Sequence, residues 1–297
     1  SAASDVYKRQ AKYSMITAED GGIIDDLITY RFEEDKFLVV PNAGNADTVW
    51  DELNNRAEGF DVTLKNESRD VAMIAVQGPK AAEILVPLVE DNKQDEVYNL
   101  GYYAATMGKV ARTFAIIART GYTGEDGFEL IVYNSDAPQL WEELLKAGEE
   151  YDIKPCGLAA RDSLRLEAGM PLYGNELSRD ITPVEAGMAR AFAKKEADFV
   201  GSEVIRQRAA EGPQVAITGL TSTQRRAARA GAEVFVGDKK VGTVTSGQPS
   251  PTLGHPVAIA LLETSAGLEP GAEVEVEIRG KRYPFEVTAL PFYKRDK

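Results

Sequence analysis

The segment Glu273-Val274-Glu275-Val276-Glu277-Ile278-Arg279-Gly280 decides the fold of the C-terminal part of the chain. Its apolar residues alternate with glutamates, which is the period-two pattern of a strand with one buried face. Arg279-Gly280 then supplies a tight turn into another strand-like run at 282–289. The segment therefore predicts an antiparallel hairpin.

Similar short apolar runs precede this hairpin and are bounded by turn residues. With the hairpin, the predicted strands cover residues 215–220, 232–236, 240–245, 257–263, 272–279 and 282–289. Roughly six short strands in about 85 residues favour a small antiparallel barrel. A short helix ahead of them ends at Gly212-Pro213, and this pair marks the predicted domain boundary.

Upstream of that boundary, strand-like and helical segments are mixed along the chain. Strands are expected at 13–16, 37–40, 71–76, 113–118 and 127–133. Helices are expected at 47–58, 136–151 and 158–168. The second of these helices has the clearest pattern, because Leu140, Leu144 and Ala147 lie at helical spacing.

The composition excludes several classes of function. The chain has 34 Lys and Arg against 47 Asp and Glu, a net charge of −13, which argues against a protein that coats nucleic acid. Its one cysteine, Cys156, cannot form an internal disulfide, which fits a reducing compartment. One cysteine and one histidine, His255, cannot build a structural zinc site. The apolar runs are far shorter than the ~20 residues that a bilayer requires, and no signal peptide is visible, so a cytoplasmic location is expected.

Two adjacent carboxylates lie in the apolar segment Gly21-Gly22-Ile23-Ile24-Asp25-Asp26-Leu27. Successive strand residues point to opposite faces, so only one of the two acids faces a given cavity. One interpretation is a turn with a solvated acid pair. The other is a carboxylate held near a substrate nitrogen, where it stabilises a developing cation or manages a proton.

A glycine-rich loop, Gly121-Tyr122-Thr123-Gly124-Glu125-Asp126-Gly127, precedes the strand Phe128-Glu129-Leu130. Its glycine spacing is that of neither a P-loop nor a dinucleotide fingerprint, which favours a hairpin in which glycine allows close backbone approach. Glu129 alternates with apolar neighbours and is therefore expected on the opposite face of the sheet.

Arg161 and Arg165 lie four residues apart in the segment 157–169 and therefore on one helix face. Because Asp162 and Glu167 are close by, spacing alone favours a salt-bridged surface helix.

Taken together, these segments resemble the glycine cleavage T-protein family, the aminomethyltransferases. The resemblance runs in order from about Tyr13 to Phe292 and is most specific around Arg161. The matching segments are Tyr13-Ser14, Gly21–Leu27, Asn42-Ala43, Gln77-Gly78-Pro79, Gly121–Gly127, Gly157–Gly169, Leu172–Leu177, Thr182–Gly187 and Gly242–Gly247. Family members carry a further N-terminal segment with a Phe-Asp-Val-Ser-His-Met motif that is absent here, so we expect an N-terminally truncated member.

The resemblance implies an α+β fold, with antiparallel-sheet folate-binding domains interleaved along the chain and followed by a C-terminal antiparallel β-barrel. The expected domains are a folate-binding region at 13–198, a linker helix at 199–213 and the barrel at 214–297. Residues 1–12 are left unassigned, as a remnant of cloning or sequence assembly.

The resemblance also implies the reaction. The family transfers the methylene of an aminomethyl group, carried on the lipoyl arm of the H-protein, to tetrahydrofolate and releases ammonia. Tetrahydrofolate is then the co-substrate, the lipoylated H-protein is the partner, and no metal is needed. The implied alternatives are a non-catalytic folate-binding module related to iron–sulfur assembly factors, and the folate domain of a dimethylglycine or sarcosine oxidising enzyme.

Family positions imply the site residues. Asp26 corresponds to the catalytic carboxylate, and Glu129 corresponds to the acid that binds the pterin, since a carboxylate accepts two parallel hydrogen bonds from an amino-pyrimidine edge. The remaining folate-binding positions are Tyr13, Asn42, Tyr122, Arg161 and Tyr173.

Overall fold

The computed structural model describes residues 9–192 and 197–295. The chain divides into two compact units. Among the described residues, the sheet unit consists of residues 9–14 and Leu27–Gly157, and the barrel unit consists of Met15–Asp26 and the chain from Leu158 onward. A short N-terminal segment thus belongs to a unit that is otherwise built from the C-terminal half.

Between residue 9 and Leu158 the structure has seven strands, which form two antiparallel sheets ordered β1-β2-β3 and β4-β7-β6-β5. Their bounds are β1 Ala11–Thr17, β2 Ile23–Arg31, β3 Phe37–Pro41, β4 Val71–Gln77, β5 Ala105–Val110, β6 Thr113–Ala118 and β7 Gly127–Tyr133. The first two strands each pass from one unit into the other. The helices of the sheet unit are α1 Ala46–Ala57, α2 Ala81–Leu85, α3 Gln94–Tyr98 and α4 Ala137–Ala147.

The core of the sheet unit lies between α2, α4 and one face of the four-stranded sheet. Phe128 and Leu130 of β7 point into it and are 0% exposed, as is Leu140 of α4. Each such side chain contributes about 1.5–3 kcal/mol by leaving water. Because side chains alternate along a strand, β7 presents Glu129 on the opposite face.

In the barrel unit, six strands close into a barrel in the order β10-β11-β8-β13-β12-β9. Their bounds are β8 Val215–Thr221, β9 Glu233–Val236, β10 Lys239–Pro249, β11 Pro256–Glu263, β12 Glu273–Ile278 and β13 Lys281–Thr288. Val274 and Val276 face the barrel interior together with Phe285, as the alternating pattern predicts. The helices of this unit are α5 Leu158–Glu167, α6 Ala189–Phe192 and α7 Ser202–Glu211.

Helix α5 packs on the outside of the barrel through Leu166, which contacts Val257 and Ile259 of β11. The carboxylate of Glu167, 2% exposed, accepts hydrogen bonds from Thr252, whose hydroxyl lies 2.7 Å away, and from the hydroxyl of Ser250. Hydrophobic contact and a fully engaged carboxylate therefore fix α5 against the barrel.

The turn before β2 depends on a close backbone approach at Gly22. A Cβ at Gly22 would lie 2.0 Å from the carbonyl oxygen of Arg179, so no larger residue fits there. The amide of Ile23 then lies 3.1 Å from the carbonyl oxygens of both Ser178 and Ile181. These contacts fix the start of β2, and with it the position of the Asp25-Asp26 pair.

The sequence-based fold class is confirmed, because the structure has antiparallel sheets with helices and a closed six-stranded barrel. The ranges of β2 and β5 are absent from the strands that the sequence predicts, and β1 begins at Ala11, inside the segment 1–12 that sequence analysis leaves unassigned. Residues 1–8 of that segment lie outside the described residues. None of the helices in the described part of the chain has the length and hydropathy needed to cross a membrane.

Candidate functional site

Glu129 is a buried carboxylate on β7, with 8% of its surface exposed. Its cross-strand neighbours are Ala75 on β4 and Ala118 on β6. Both neighbours are small, so they leave space on either side of the carboxylate. The hydroxyl of Thr120 donates a hydrogen bond of 2.6 Å to Oε2 of Glu129.

A chain of hydroxyl groups leads to this carboxylate. The Tyr30 hydroxyl lies 3.3 Å from the hydroxyl oxygen of Thr120. Because the proton of Thr120 is directed at the carboxylate, Tyr30 is the donor of this second hydrogen bond. Burial raises the pKa of the Tyr30 phenol, and the negative charge of Glu129 raises it further, so the proton needed for this chain stays on the phenol.

The second carboxylate oxygen of Glu129, Oε1, receives no hydrogen bond from the described residues. Among the described residues, the buried side-chain atoms without a hydrogen-bond partner are Oε1 of Glu176 and Nε2 of Gln248, so Oε1 of Glu129 keeps access to solvent. An accessible carboxylate oxygen accepts hydrogen bonds from water or from a bound molecule. Glu129 is therefore suited to accept hydrogen bonds from the N–H groups of a ligand.

The loop that leads into β7, residues 120–127, is closed by an ion pair between Arg119, which precedes it, and Asp126 near its end. The guanidinium binds the carboxylate of Asp126 through two hydrogen bonds of 3.0 and 2.7 Å, which raise the pKa of Arg119. The same guanidinium donates to the carbonyl oxygens of Tyr98 and Leu100, at 2.9 and 2.8 Å. Tyr122, half-buried, lies in the loop closed by this ion pair.

Two other predicted binding residues belong to the sheet unit. Tyr13 is half-buried on β1, and Asn42 follows directly after β3. The carbonyl oxygen of Asn42 accepts a hydrogen bond of 2.9 Å from the amide of Asn45, which begins a 3-10 turn. The sheet unit thus contains four of the predicted residues: Tyr13, Asn42, Tyr122 and Glu129.

The barrel unit contains Asp26, Arg161 and Tyr173. Asp25 is fully buried and Asp26 is half-buried, in agreement with the expectation that they face opposite sides of the strand. The Tyr173 hydroxyl donates to the carbonyl oxygen of Ile23 at 3.1 Å, so Tyr173 anchors the strand three residues before Asp26.

The two arginines of α5 differ in burial. Arg161 is exposed, whereas Arg165 is 1% exposed and ranks among the largest fully buried side chains. The interpretation of α5 as a surface helix is therefore wrong for Arg165 and also for Glu167. Spacing identified the helix, but it could not show that the barrel covers Arg165 and leaves Arg161 exposed.

Arg165 has a complete set of hydrogen-bond partners. Its guanidinium donates to Asp162 at 2.8 Å, Glu176 at 2.9 Å and Ser246 at 2.8 Å, as well as to the carbonyl oxygen of Met170 at 3.2 Å. Every nitrogen of the guanidinium is used. These contacts assign Arg165 to the architecture of the barrel unit.

Sequence reasoning missed the residues that support Glu129, namely Thr120, Tyr30 and Gln77. The sequence separation of Tyr30 and Thr120 is 90 residues, so no local pattern connects them. Two features of the sequence could have indicated Gln77. It is a polar residue at the end of an apolar strand, and the loop at 120–127 has a glycine near each end. Within the described ranges, no group of His, Cys, Asp and Glu side chains is arranged to hold a metal ion.

Comparison with known proteins matches nearly the whole chain. The model of the GCVT N-terminal domain matches residues 1–196, and the model of the glycine cleavage T-protein C-terminal barrel domain matches residues 216–294. An aminomethyltransferase of Corynebacterium aurimucosum is 85% identical over 288 residues, which are 97% of this chain and 78% of the relative. An aminomethyltransferase of Corynebacterium jeikeium is 52% identical, over 97% of this chain and 79% of the relative.

A solved structure agrees with these matches. The crystal structure of glycine cleavage system aminomethyltransferase T from Bartonella henselae superimposes with a TM-score of 0.87 and 36% identity, over 98% of this chain and 78% of that one. The fold and these relatives define the chain as an enzyme of the one-carbon transferase class. It belongs to the glycine cleavage T-protein family, the aminomethyltransferases.

Proposed function

We propose that this chain transfers a methylene group from the aminomethyl-lipoyl arm of a glycine cleavage H-protein to tetrahydrofolate. The bonds from the methylene carbon to sulfur and to the amino nitrogen break, and bonds to N5 and N10 of the folate form. The two folate N–H protons leave with ammonia and with the lipoyl thiol, so the reaction needs no oxidant. The single cysteine, Cys156, fits a reducing compartment, and we propose the cytoplasm.

The hydrogen bonding of the Glu129 carboxylate is the observation that best supports folate as the co-substrate. Glu129 is a buried carboxylate with one oxygen bound by Thr120 and the other without a donor among the described residues. The amino-pyrimidine edge of a pterin offers two adjacent N–H donors, and a carboxylate accepts such a pair in the same fork geometry as a guanidinium. Glu129 is thus the proposed pterin-binding acid.

Asp26 is the proposed catalytic carboxylate. It is half-buried, and the strand that carries it is anchored through Ile23. A fixed carboxylate stabilises the iminium character that develops as ammonia leaves, without reorganising during the reaction. Its neighbour Asp25 is fully buried on the other face of the strand and has no proposed role in the chemistry.

The remaining predicted residues are assigned to folate binding. Arg161 is exposed and is the proposed partner of a polar or anionic part of the folate, which an enzyme of net charge −13 can hold only at a local positive site. The rings of Tyr13 and Tyr122 are proposed to contact the aromatic planes of the ligand, and Asn42 to hydrogen-bond it. Since the Tyr173 hydroxyl is already bound to Ile23, its ring is the part available to a ligand.

The test is a transfer assay with aminomethylated, lipoylated H-protein and tetrahydrofolate, in which ammonia and 5,10-methylenetetrahydrofolate are quantified. We expect wild-type protein to form both products in equal amounts. Asp26→Asn should lower the rate by about 10²-fold or more, while tetrahydrofolate still binds. Asp180→Asn, at an exposed acid of the same unit, is the matched control and should react normally.

Two results would overturn this proposal. Absence of transfer by wild-type protein that binds both substrates would reject the reaction. A normal rate for Asp26→Asn, together with a strongly reduced rate for a folded Asp25→Asn protein, would move the catalytic role to the other carboxylate.

A further inference from the structure

Gln77 lies at the end of β4, beneath the loop that precedes β7. Its amide nitrogen donates to the carbonyl oxygen of Thr120 at 3.0 Å and to that of Phe128 at 3.2 Å. Its amide oxygen accepts a hydrogen bond of 3.1 Å from the hydroxyl of Thr123. Both donors are used, so this one side chain ties together the start, the middle and the end of the loop.

Gly121 and Gly127, near the two ends of the loop, leave the space that the Gln77 side chain occupies. A Cβ at Gly121 would lie 1.9 Å from the amide oxygen of Gln77, and a Cβ at Gly127 would lie 2.5 Å from its amide carbon. Neither glycine has a positive φ, so their backbone conformation is open to other residues. At both positions the atoms that a Cβ would meet first belong to the side-chain amide of Gln77, so a larger residue would displace this amide from its hydrogen bonds.

The two carbonyl groups held by Gln77 belong to the surroundings of Glu129. Thr120 supplies the hydroxyl that binds Oε2 of Glu129, and Phe128 is the residue before Glu129 in the same strand. Among the described residues, the hydrogen bonds of Gln77 go to Thr120, Thr123 and Phe128 and not to the carboxylate. Gln77 fixes the backbone at Thr120 and at Phe128, and it thereby fixes the position of the Thr120 hydroxyl.

We propose that Gln77 is a positioning residue for folate binding, which holds the loop from Thr120 to Gly127 in the shape that presents Glu129 and Tyr122 to the ligand. This inference rests on the proposed function, since it assigns Glu129 to the pterin. It predicts that changes at Gln77 act on the binding of tetrahydrofolate and leave the chemical step unchanged.

The main test is Gln77→Met, which keeps the length of the side chain and removes all three hydrogen bonds. We expect the Kd and the KM for tetrahydrofolate to rise by about tenfold, while kcat stays within about twofold of wild type. A side chain that only stabilised the fold would lower the Tm without separating KM from kcat.

Gln94→Met is the matched control in the same unit. The amide nitrogen of Gln94 donates a hydrogen bond of 2.9 Å to the carbonyl oxygen of Val89, so this variant also removes a bond from a glutamine to the backbone. Its Kd for tetrahydrofolate should equal that of wild type. Should Gln77→Met fail to fold, Gln77→Glu takes its place, because it keeps the acceptor for Thr123 and removes both donors.

A double-mutant cycle tests the contact itself. Gly121→Ala should lower the Tm when Gln77 is present, because the new methyl group meets its amide. In a Gln77→Ala background the same change should cost little, because the space is then free. Equal losses of Tm in the two backgrounds would contradict the steric part of the account.

The outcomes separate this inference from the function it rests on. If wild-type protein does not bind tetrahydrofolate, the proposed function fails. If wild type binds and Glu129→Gln binds weakly, but folded Gln77→Met binds like wild type, the positioning role of Gln77 is wrong and the function stands.

Discussion

Arg165 and Glu129 are two buried charges with opposite surroundings. Arg165 is 1% exposed and donates to three side chains and one carbonyl group. Glu129 is 8% exposed and receives one side-chain hydrogen bond, from Thr120. Arg165 recovers the cost of its desolvation from groups of the chain itself, whereas Glu129 keeps one oxygen accessible to water or to a ligand.

The hydrogen-bond partners of a buried charge thus distinguish a structural residue from a candidate ligand-binding residue. Neither the burial of the residue nor the sequence pattern makes this distinction. A buried charge whose partners are all internal holds elements together, as Arg165 holds α5 to the barrel. Glu129 has an accessible oxygen that receives no hydrogen bond from the described residues, and the role proposed for this oxygen is to bind the ligand. The comparison therefore predicts different consequences when each charge is removed.

The largest effect is expected for Arg165→Met. The buried carboxylate of Glu176 would lose its cationic partner, which typically costs about 3–5 kcal/mol of unfolding free energy. Urea denaturation followed by circular dichroism measures this loss. Arg161→Met, four residues earlier on α5 and exposed, is the matched control and should cost no more than about 1 kcal/mol, because contacts of an exposed charge are worth little.

A second variant checks that the unpaired carboxylate causes the loss. Replacing Glu176 with Leu in the Arg165→Met background removes both charges and should restore part of the stability. If Arg165→Met alone costs no more than Arg161→Met, the guanidinium network is not a structural element and the contrast with Glu129 disappears.

A smaller, pH-dependent effect is expected for Tyr30. Its pKa is raised above the usual value near 10.0, so above that pH the unfolded chain releases a proton that the folded protein retains. The phenol thus contributes stability below about pH 10, and this contribution decreases by about 1.4 kcal/mol per pH unit above it. Tyr30→Phe should therefore lose about 1 kcal/mol at neutral pH and show a shallower decrease at alkaline pH.

Denaturation curves across the alkaline range measure this difference. Tyr133→Phe is the matched control, because Tyr133 is 60% exposed in the same unit, and this variant should follow the wild-type curve. Parallel curves for wild type and Tyr30→Phe would show that burial does not raise the pKa of this phenol in the folded protein.

Much of the fold could be predicted from local patterns. The alternation at Val274 and Val276 identified a strand with one face in the barrel core, and Leu140 and Leu144 identified the buried face of α4. These patterns succeed because one face of each element is apolar and the other is polar. For the same reason, the position of Glu129 opposite Phe128 followed directly from the period of a strand.

The supporting residues of the site could not be predicted in this way. Burial of Arg165 depends on Ser246 and Glu176, and the sequence separation from Ser246 is 81 residues. The role of Gln77 depends on a loop 43 residues further along the chain. Helix spacing and strand alternation describe neighbours on one element, whereas these contacts arise only when separate elements pack together.

The most direct test of the central claim is the Kd for tetrahydrofolate of wild type and Glu129→Gln, measured by calorimetry beside their unfolding free energies. Glutamine keeps an acceptor for Thr120 and places an amide nitrogen where the ligand's N–H groups would bind. The account predicts that binding weakens about 10–100-fold, while stability changes by less than about 1 kcal/mol. An unchanged Kd together with a loss of several kcal/mol in stability would show that Glu129, like Arg165, serves the architecture alone.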